Sequence, residues 1–336
     1  MAASAALSSE EFMITISWLW RVTKRIAFGV VVFLVIALVA GALYQIIATR
    51  LDEGKYPPPG QIVDVEGRGL HLYCTGDGTP TVILESGLDG GSLDWSLVQP
   101  EVAKFGRVCS YDRAGIAWSS SGGGHRNAGQ ITDELHKLLD TAHIAPPYVL
   151  VGHSIGGVYV QLFAARYPDE VAGVVLVDSS HQDQLTRIPG IPAFVPYLYK
   201  AAAPVGIARI VNELAAAPPN LTAETIAKRT SLYSHTHSVY ANANEMAAIP
   251  DSMAELRDSP MQLGDKPLIV LSRGLNDGSS AETEAVWRDL QSDLAKRSSN
   301  GKLFIAHKSG HYIQFFEAEL VVDAIRQVIR AVATNQ

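Results

Sequence analysis

The stretch Tyr148-Val149-Leu150-Val151-Gly152-His153-Ser154-Ile155-Gly156 decides the fold. Its first four residues are aromatic, β-branched or aliphatic, the composition of a short buried strand. Residues 158–167 have helical character, so the G-x-S-x-G between them stands in a strand–turn–helix context. A serine at such a tight turn sits on strained backbone. The flanking glycines remove side chains that would collide with strand and helix. The hydroxyl is then exposed above the strand end, and the N–H of Ile155 points to where an oxyanion would form. Ser154 is the candidate nucleophile; the competing reading is an ordinary strand–helix turn.

Working outward, short apolar runs alternate with longer helix-like segments. Residues 61–66 and 70–74 predict a strand pair, and 81–85, 107–111, 171–177, 267–271 and 302–306 predict further strands. Residues 130–142, 281–297 and 317–333 have helical spacing. Strands of about five residues alternating with helices predict an α/β fold, a mostly parallel sheet covered on both faces. Residues 182–263 break the alternation. They are rich in Ala, Pro, Tyr and Leu and too long for a plain loop. We read them as a helical insert over one edge of the sheet, a lid rather than extra packing helices.

A serine hydroxyl is weakly nucleophilic and needs a base. Of the ten histidines, His311 is the best placed, in Ser309-Gly310-His311-Tyr312 between the last strand and the last helix. His153 is expected to pack beside the turn, and His181, His235 and His237 lie at or inside the insert. The base needs a carboxylate to orient it and to stabilise its cation. Two compete at the carboxyl ends of strands, where α/β sites are built. Asp277 is preferred, one strand before His311 and in the chain order Ser, Asp, His; Asp178 is the alternative acid. A second oxyanion donor is expected from the glycine-rich turn Ser86-Gly87-Leu88-Asp89-Gly90-Gly91, with the backbone N–H of Leu88 as the choice. That turn matches neither phosphate-binding glycine pattern.

Residues 26–48 form a run of 23 residues without a charge, Gln45 being the most polar. As a helix it would be about 34 Å long, enough to cross a hydrocarbon core of about 30 Å. Arg21, Lys24 and Arg25 precede it, whereas Arg50 and Lys55 follow, so the bias points to the N-terminus inside and the bulk of the chain outside. Ala40-Gly41-Ala42 has the form of a signal-peptide cleavage site, but the apolar run continues past it, and an uncleaved anchor is the preferred reading. Tyr56-Pro57-Pro58-Pro59-Gly60 makes a stiff linker. The expected division is a tail over 1–25, a transmembrane anchor over 26–48, a linker over 49–60 and a domain over 61–336.

The 336 residues carry 34 acidic against 27 basic side chains, a net charge of −7, and 47% are hydrophobic. That is ample for a core, and it gives no basic surplus for nucleic acid, so no nucleic-acid partner is expected. Cys74 and Cys109 have no zinc-ligand spacing.

With these residues in view, the chain resembles the α/β-hydrolase superfamily over roughly 61–335. The matching stretches are Glu85-Ser86-Gly87-Leu88, Tyr111-Asp112-Arg113-Ala114-Gly115, Gly152-His153-Ser154-Ile155-Gly156-Gly157, Val175-Leu176-Val177-Asp178 and Ser309-Gly310-His311. The family usually has His-Gly-x at the first; Ser86 replaces the histidine, while the backbone donor should survive. The resemblance implies an eight-stranded sheet with a lid between strands six and seven. It also implies Ser154 as nucleophile, His311 as base and Asp277 as acid, with Asp112 and Arg113 a turn-fixing pair beside the site. Family members that open epoxides or remove halogen carry an aspartate where this chain has Ser154. The implied strand order sets Cys74 beside Cys109. On an exported domain the two would be free to form a disulfide, and in the cytosol both would be buried thiols.

The expectation is a membrane-anchored serine hydrolase acting on a carboxylic ester or related acyl bond, with an apolar small-molecule substrate. Its partner is a lipid bilayer through residues 26–48, and it needs neither cofactor nor metal. Alternatives on the same fold are a C–C bond hydrolase, an aminopeptidase-like enzyme, or a catalytically silent ligand-binding domain.

Overall fold

The computed structural model describes residues 9–215, 217–276 and 278–334. Eight strands form one sheet: β1 (Gln61–Val65), β2 (Arg68–Thr75), β3 (Thr81–Glu85), β4 (Val108–Tyr111), β5 (Tyr148–His153), β6 (Val171–Val177), β7 (Leu268–Arg273) and β8 (Gly301–Ala306). Their order is β1-β2-β4-β3-β5-β6-β7-β8. β1 and β2 pair antiparallel, as do β2 and β4. All other pairings are parallel.

The central strands are apolar throughout because both faces are covered. Alternate residues feed two separate cores. Ile83, Leu150, Val174 and Val270 face one side; Val82, Val149, Val151 and Val175 face the other. The edge strand β8 is exposed at every second residue instead.

Helices fill both layers. The first in the chain is α1 (Ser9–Lys55), followed by the short α2 (Gln99–Val102), α3 (Ala128–Thr141) and α4 (Gly156–Arg166). Between β6 and β7 come α5 (Gln184–Arg187), α6 (Val195–Ala202), α7 (Ile207–Leu214), α8 (Ala223–Tyr233), α9 (Thr236–Ala247) and α10 (Ile249–Asp258). These are the helical insert expected between strands six and seven. After β7 follow α11 (Ala281–Ala295), the short α12 (Ile313–Phe316) and α13 (Ala318–Thr334). On α3, Ile131, Leu135, Leu138 and Leu139 are buried, the stripe read from the sequence. The side chain of Asn127 accepts a hydrogen bond from the Gln130 N–H and caps its start.

Two features go beyond the sequence reading. α1 is longer than the apolar run 26–48: no proline stands between Ser9 and Lys55, and Pro57 lies two residues past its end. It is long and apolar enough to cross a membrane, and its most apolar stretch is not covered by the rest of the chain. Cys74 and Cys109, directly opposite in the β2–β4 register, are joined as a disulfide.

Candidate active site

Ser154 follows the last residue of β5, at the turn into α4, with φ 54°. Its N–H donates to the Val177 carbonyl at 3.1 Å, which ties the turn to the neighbouring strand. A Cβ at Gly152 would come within 2.6 Å of the Val160 side chain, and one at Gly156 would collide with the Ser86 carbonyl. Both glycines are therefore required by close approach, as the strand–turn–helix reading anticipated.

His311 stands on the loop after β8, and its Nε2 lies 2.9 Å from Ser154 Oγ. Its Nδ1 lies 2.6 Å from Asp178 Oδ2. A carboxylate only accepts, so Nδ1 carries the proton and Nε2 is left to accept from the serine hydroxyl. Asp178 follows β6 directly, with φ 40°, and its N–H donates to the Leu271 carbonyl at 2.7 Å. The seat on Nδ1 that the sequence reading gave first to Asp277 is thus held by its alternative, Asp178. Asp277 lies outside the described residues. Chain order did not discriminate, since Asp178 also falls between Ser154 and His311.

The Asp178 carboxylate is fully buried and well supplied with donors. Its Oδ1 accepts from the Arg273 N–H at 3.0 Å and the Trp287 indole at 2.8 Å. Its Oδ2 accepts from Arg273 Nη1 at 3.0 Å. Burial raises its pKa, but the hydrogen bond and charge of His311 and the Arg273 guanidinium outweigh burial and hold the carboxyl below its ordinary value. Arg273 is itself paired with Glu284 at 2.7 Å and lies over the Trp287 ring. Neither Arg273 nor Trp287 was singled out from sequence; the one local sign was an arginine ending a buried strand that begins Leu-Ile-Val-Leu.

His153 packs beside the site as expected, its ring against that of His311. Its Nε2–H donates to the His311 carbonyl at 3.0 Å and so steadies the loop. Burial first, and then the charge of His311, push the His153 pKa down to about 3, so it stays neutral. The other histidines serve elsewhere. His181 pairs with Asp293 at 3.1 Å, His235 lies 3.4 Å from Asp52, and His237 meets the Ala117 carbonyl at 3.1 Å.

Two peptide units at or beside Ser154 have their carbonyls held. The Ser154 carbonyl accepts from the N–H groups of Gly157 at 3.0 Å and Ser180 at 2.9 Å. The Gly87 carbonyl accepts from Arg113 Nη2 at 2.9 Å. In a trans peptide C=O and N–H point in opposite directions, so fixing these carbonyls aims the N–H groups of Ile155 and Leu88 the other way. Neither N–H meets a protein acceptor among the described residues.

Arg113 is more than a turn-fixing residue. Fully buried, it also donates to the Ser86 carbonyl at 2.8 Å and pairs with Glu85 at 2.6 Å and Glu245 at 2.8 Å. Asp112 matches the structural reading, bonded to His71 Nδ1 at 2.8 Å and to the Ser92 N–H at 2.7 Å. Ser86 Oγ, where the family has histidine, donates to the Gly91 carbonyl at 2.7 Å and closes the turn on itself. A cavity of about 680 Å³ adjoins Leu88 and Tyr312, the residue after His311, with Leu198, Ile207 and Val211 of the insert among its walls.

Comparison with known proteins bears on the fold. A family model described as the alpha/beta hydrolase fold matches residues 80–318. An AB hydrolase superfamily protein of Gibberella zeae is 24% identical over 284 residues, covering 75% of this chain and 87% of that one. The chain spans about half the length of the first curated relatives it matches. Among solved structures, a thermophilic esterase from Thermogutta terrifontis superposes with TM-score 0.59 at 23% identity, covering 81% of this chain and 97% of that one. A Vigna radiata epoxide hydrolase mutant superposes with TM-score 0.64 at 17% identity, covering 81% and 98%. At such identities the likeness speaks for the fold alone. With the family model matching well over half of its length, the chain belongs to the α/β-hydrolase fold family.

Proposed function

We propose that this hydrolase cleaves a carboxylic ester or closely related acyl bond through an acyl-enzyme on Ser154. The observation that carries the reading is the unbroken chain Asp178–His311–Ser154, with contacts of 2.6 and 2.9 Å. His311 Nε2 takes the hydroxyl proton as Oγ attacks the carbonyl carbon. The electron pair moves onto the carbonyl oxygen, towards the N–H groups of Leu88 and Ile155. Collapse expels the alcohol, which receives the proton from His311. Water then repeats the sequence on the acyl-serine, with His311 as base, and releases the acid. Asp178 remains ionised and stabilises the imidazolium.

The serine itself argues against epoxide opening. Its attack on an epoxide carbon would leave an ether, which water activated by His311 cannot cleave, whereas an acyl-serine is readily hydrolysed. The apolar cavity walls support an apolar acyl or alcohol group. We further propose that residues 26–48 anchor the enzyme in a membrane, with the domain on the side away from Arg21, Lys24 and Arg25. The Cys74–Cys109 disulfide supports an oxidising location for the domain.

Labelling of the full chain with a fluorophosphonate, followed by peptide mass spectrometry, tests the enzyme reading. Modification at Ser154 that disappears in His311→Ala is the expected result. A folded chain that neither labels nor hydrolyses any member of an ester panel would sink the proposal and favour a silent binding domain.

A further inference from the structure

The insert turns an apolar face away from the protein. On α7, Ile207, Ile210, Val211 and Leu214 are spaced to share one side of the helix. Ile210 is 48%, Val211 58% and Leu214 81% exposed, and on the adjoining α6 Tyr197 is 72% exposed. Of the polar residues of α7, Arg209 is buried, whereas Asn212 and Glu213 are exposed; all three are engaged. Arg209 Nε donates to Gln45 at 3.2 Å, Asn212 donates to Ser234 at 2.9 Å, and Glu213 accepts from Tyr44 at 3.4 Å. A contiguous apolar patch of this kind marks an interaction surface.

What covers it follows from its neighbour. The turn before α7 lies directly on α1: a Cβ at Gly41 would come within 2.5 Å of the Val205 carbonyl. Further along α1, Gln45 donates to the Ser234 carbonyl at 2.8 Å, and Asp52 pairs with Arg209 at 2.8 Å. Residues 41–48 are the last two turns of the uncharged run, within about 10 Å of its end at 1.5 Å per residue. Amphipathic helices bury their apolar faces about 5–10 Å into the headgroup–acyl boundary. A membrane-spanning α1 therefore carries α7 at that depth. Ile207 and Val211 also wall the cavity beside Leu88 and Tyr312, so the cavity shares this face.

We propose that the outward face of α6 and α7 lies in the bilayer interface beside α1, and that Ser154 draws a long-chain ester laterally from the membrane through the cavity. The inference deepens the anchored serine-hydrolase reading and rests on it.

The test uses the full chain in phosphatidylcholine vesicles. A single environment-sensitive fluorophore is placed at Leu214→Cys, the two native cysteines being paired. Blue-shifted emission, quenched by lipids carrying a spin label near the headgroup, is expected. Emission typical of water, from a chain that floats with the vesicles, overturns the inference while leaving the anchor intact. In parallel, Ile210→Asp/Leu214→Asp, neither position walling the cavity, should slow hydrolysis of a long-chain nitrophenyl ester in the vesicles by about tenfold. Hydrolysis of the water-soluble nitrophenyl acetate should stay unchanged. Equal slowing of both esters, or of neither, overturns lateral entry. A wild-type chain that does not float removes the anchor and this inference together. Failure to hydrolyse either ester counts against the enzyme reading and against lateral entry, and the fluorophore still reports on the docked face.

Discussion

The single residue whose role most depends on its surroundings is Asp178. Its carboxylate is seated by Arg273 and Trp287, so replacing one oxygen by an amide keeps the shape but removes the charge that fixes the His311 tautomer. Asp178→Asn should therefore lower kcat on a soluble ester by about 10⁴, with KM little changed. Asp277→Asn should stay within a few-fold of wild type in the same initial-rate assay, and the opposite ranking would return the acid role to Asp277. His153 gives a second prediction. Its pKa falls from 6.5 to about 3 on folding. Below pH 6.5 the unfolded chain gains a proton there that the folded chain refuses, so stability falls as pH drops from 6.5 towards 3. The slope is at most about 1.4 kcal/mol per pH unit for this group. His153→Gln should flatten the decline of the denaturation midpoint between pH 6.5 and 4.5. Identical slopes in the two chains would show that His153 is not the group responsible.

At the scale of elements, what could be read in advance was what is local. The turn holding Ser154 announces itself because strand, glycines and helix are contiguous, and His311 does so by sitting between the last strand and the last helix. The acid is harder, because Asp178 and Asp277 both fall between Ser154 and His311 in the chain. In the sheet β6 lies directly beside β5, so Asp178 emerges next to Ser154. The work of Arg113 was hidden for a related reason. One of its carboxylate partners, Glu245, comes from the insert, 132 residues away. The β2–β4 pairing brings Cys74 opposite Cys109 and closes a loop with a sequence separation of 35. Loop-closure entropy over that span corresponds to about 3–4 kcal/mol. Cys74→Ser/Cys109→Ser should lose stability of that order in urea unfolding while retaining fluorophosphonate labelling at Ser154. Unchanged stability would mean that the bridge does not form in the folded protein.

On the scale of the whole molecule, α1 and the insert belong together, which composition did not reveal. Gln45 is the most polar residue of the uncharged run, and Asp52 lies just past it. Both are buried against the insert, where they meet Arg209 and Ser234. The small residue Gly41, which fitted a cleavage site, has a packing role against Val205. Just past α1, the Tyr56 carbonyl accepts from the Trp118 indole at 2.8 Å, outside the insert. The boundary that matters for folding therefore falls near residue 40, well before the proline-rich linker. Deleting residues 2–40 should leave hydrolysis of a soluble ester and the thermal midpoint in detergent close to those of the full chain. Deleting residues 2–57 strips the partners from Arg209 and His235. Removing one side of a buried ion pair costs about 3–5 kcal/mol, less whatever hydration the opened surface regains. Because α7 carries Arg209, His235 starts α9, and α7 and α8 wall the cavity, the shorter chain should melt several degrees lower and lose activity before the sheet unfolds. Equal midpoints and equal rates for the two deletions would show that the insert holds its place without α1.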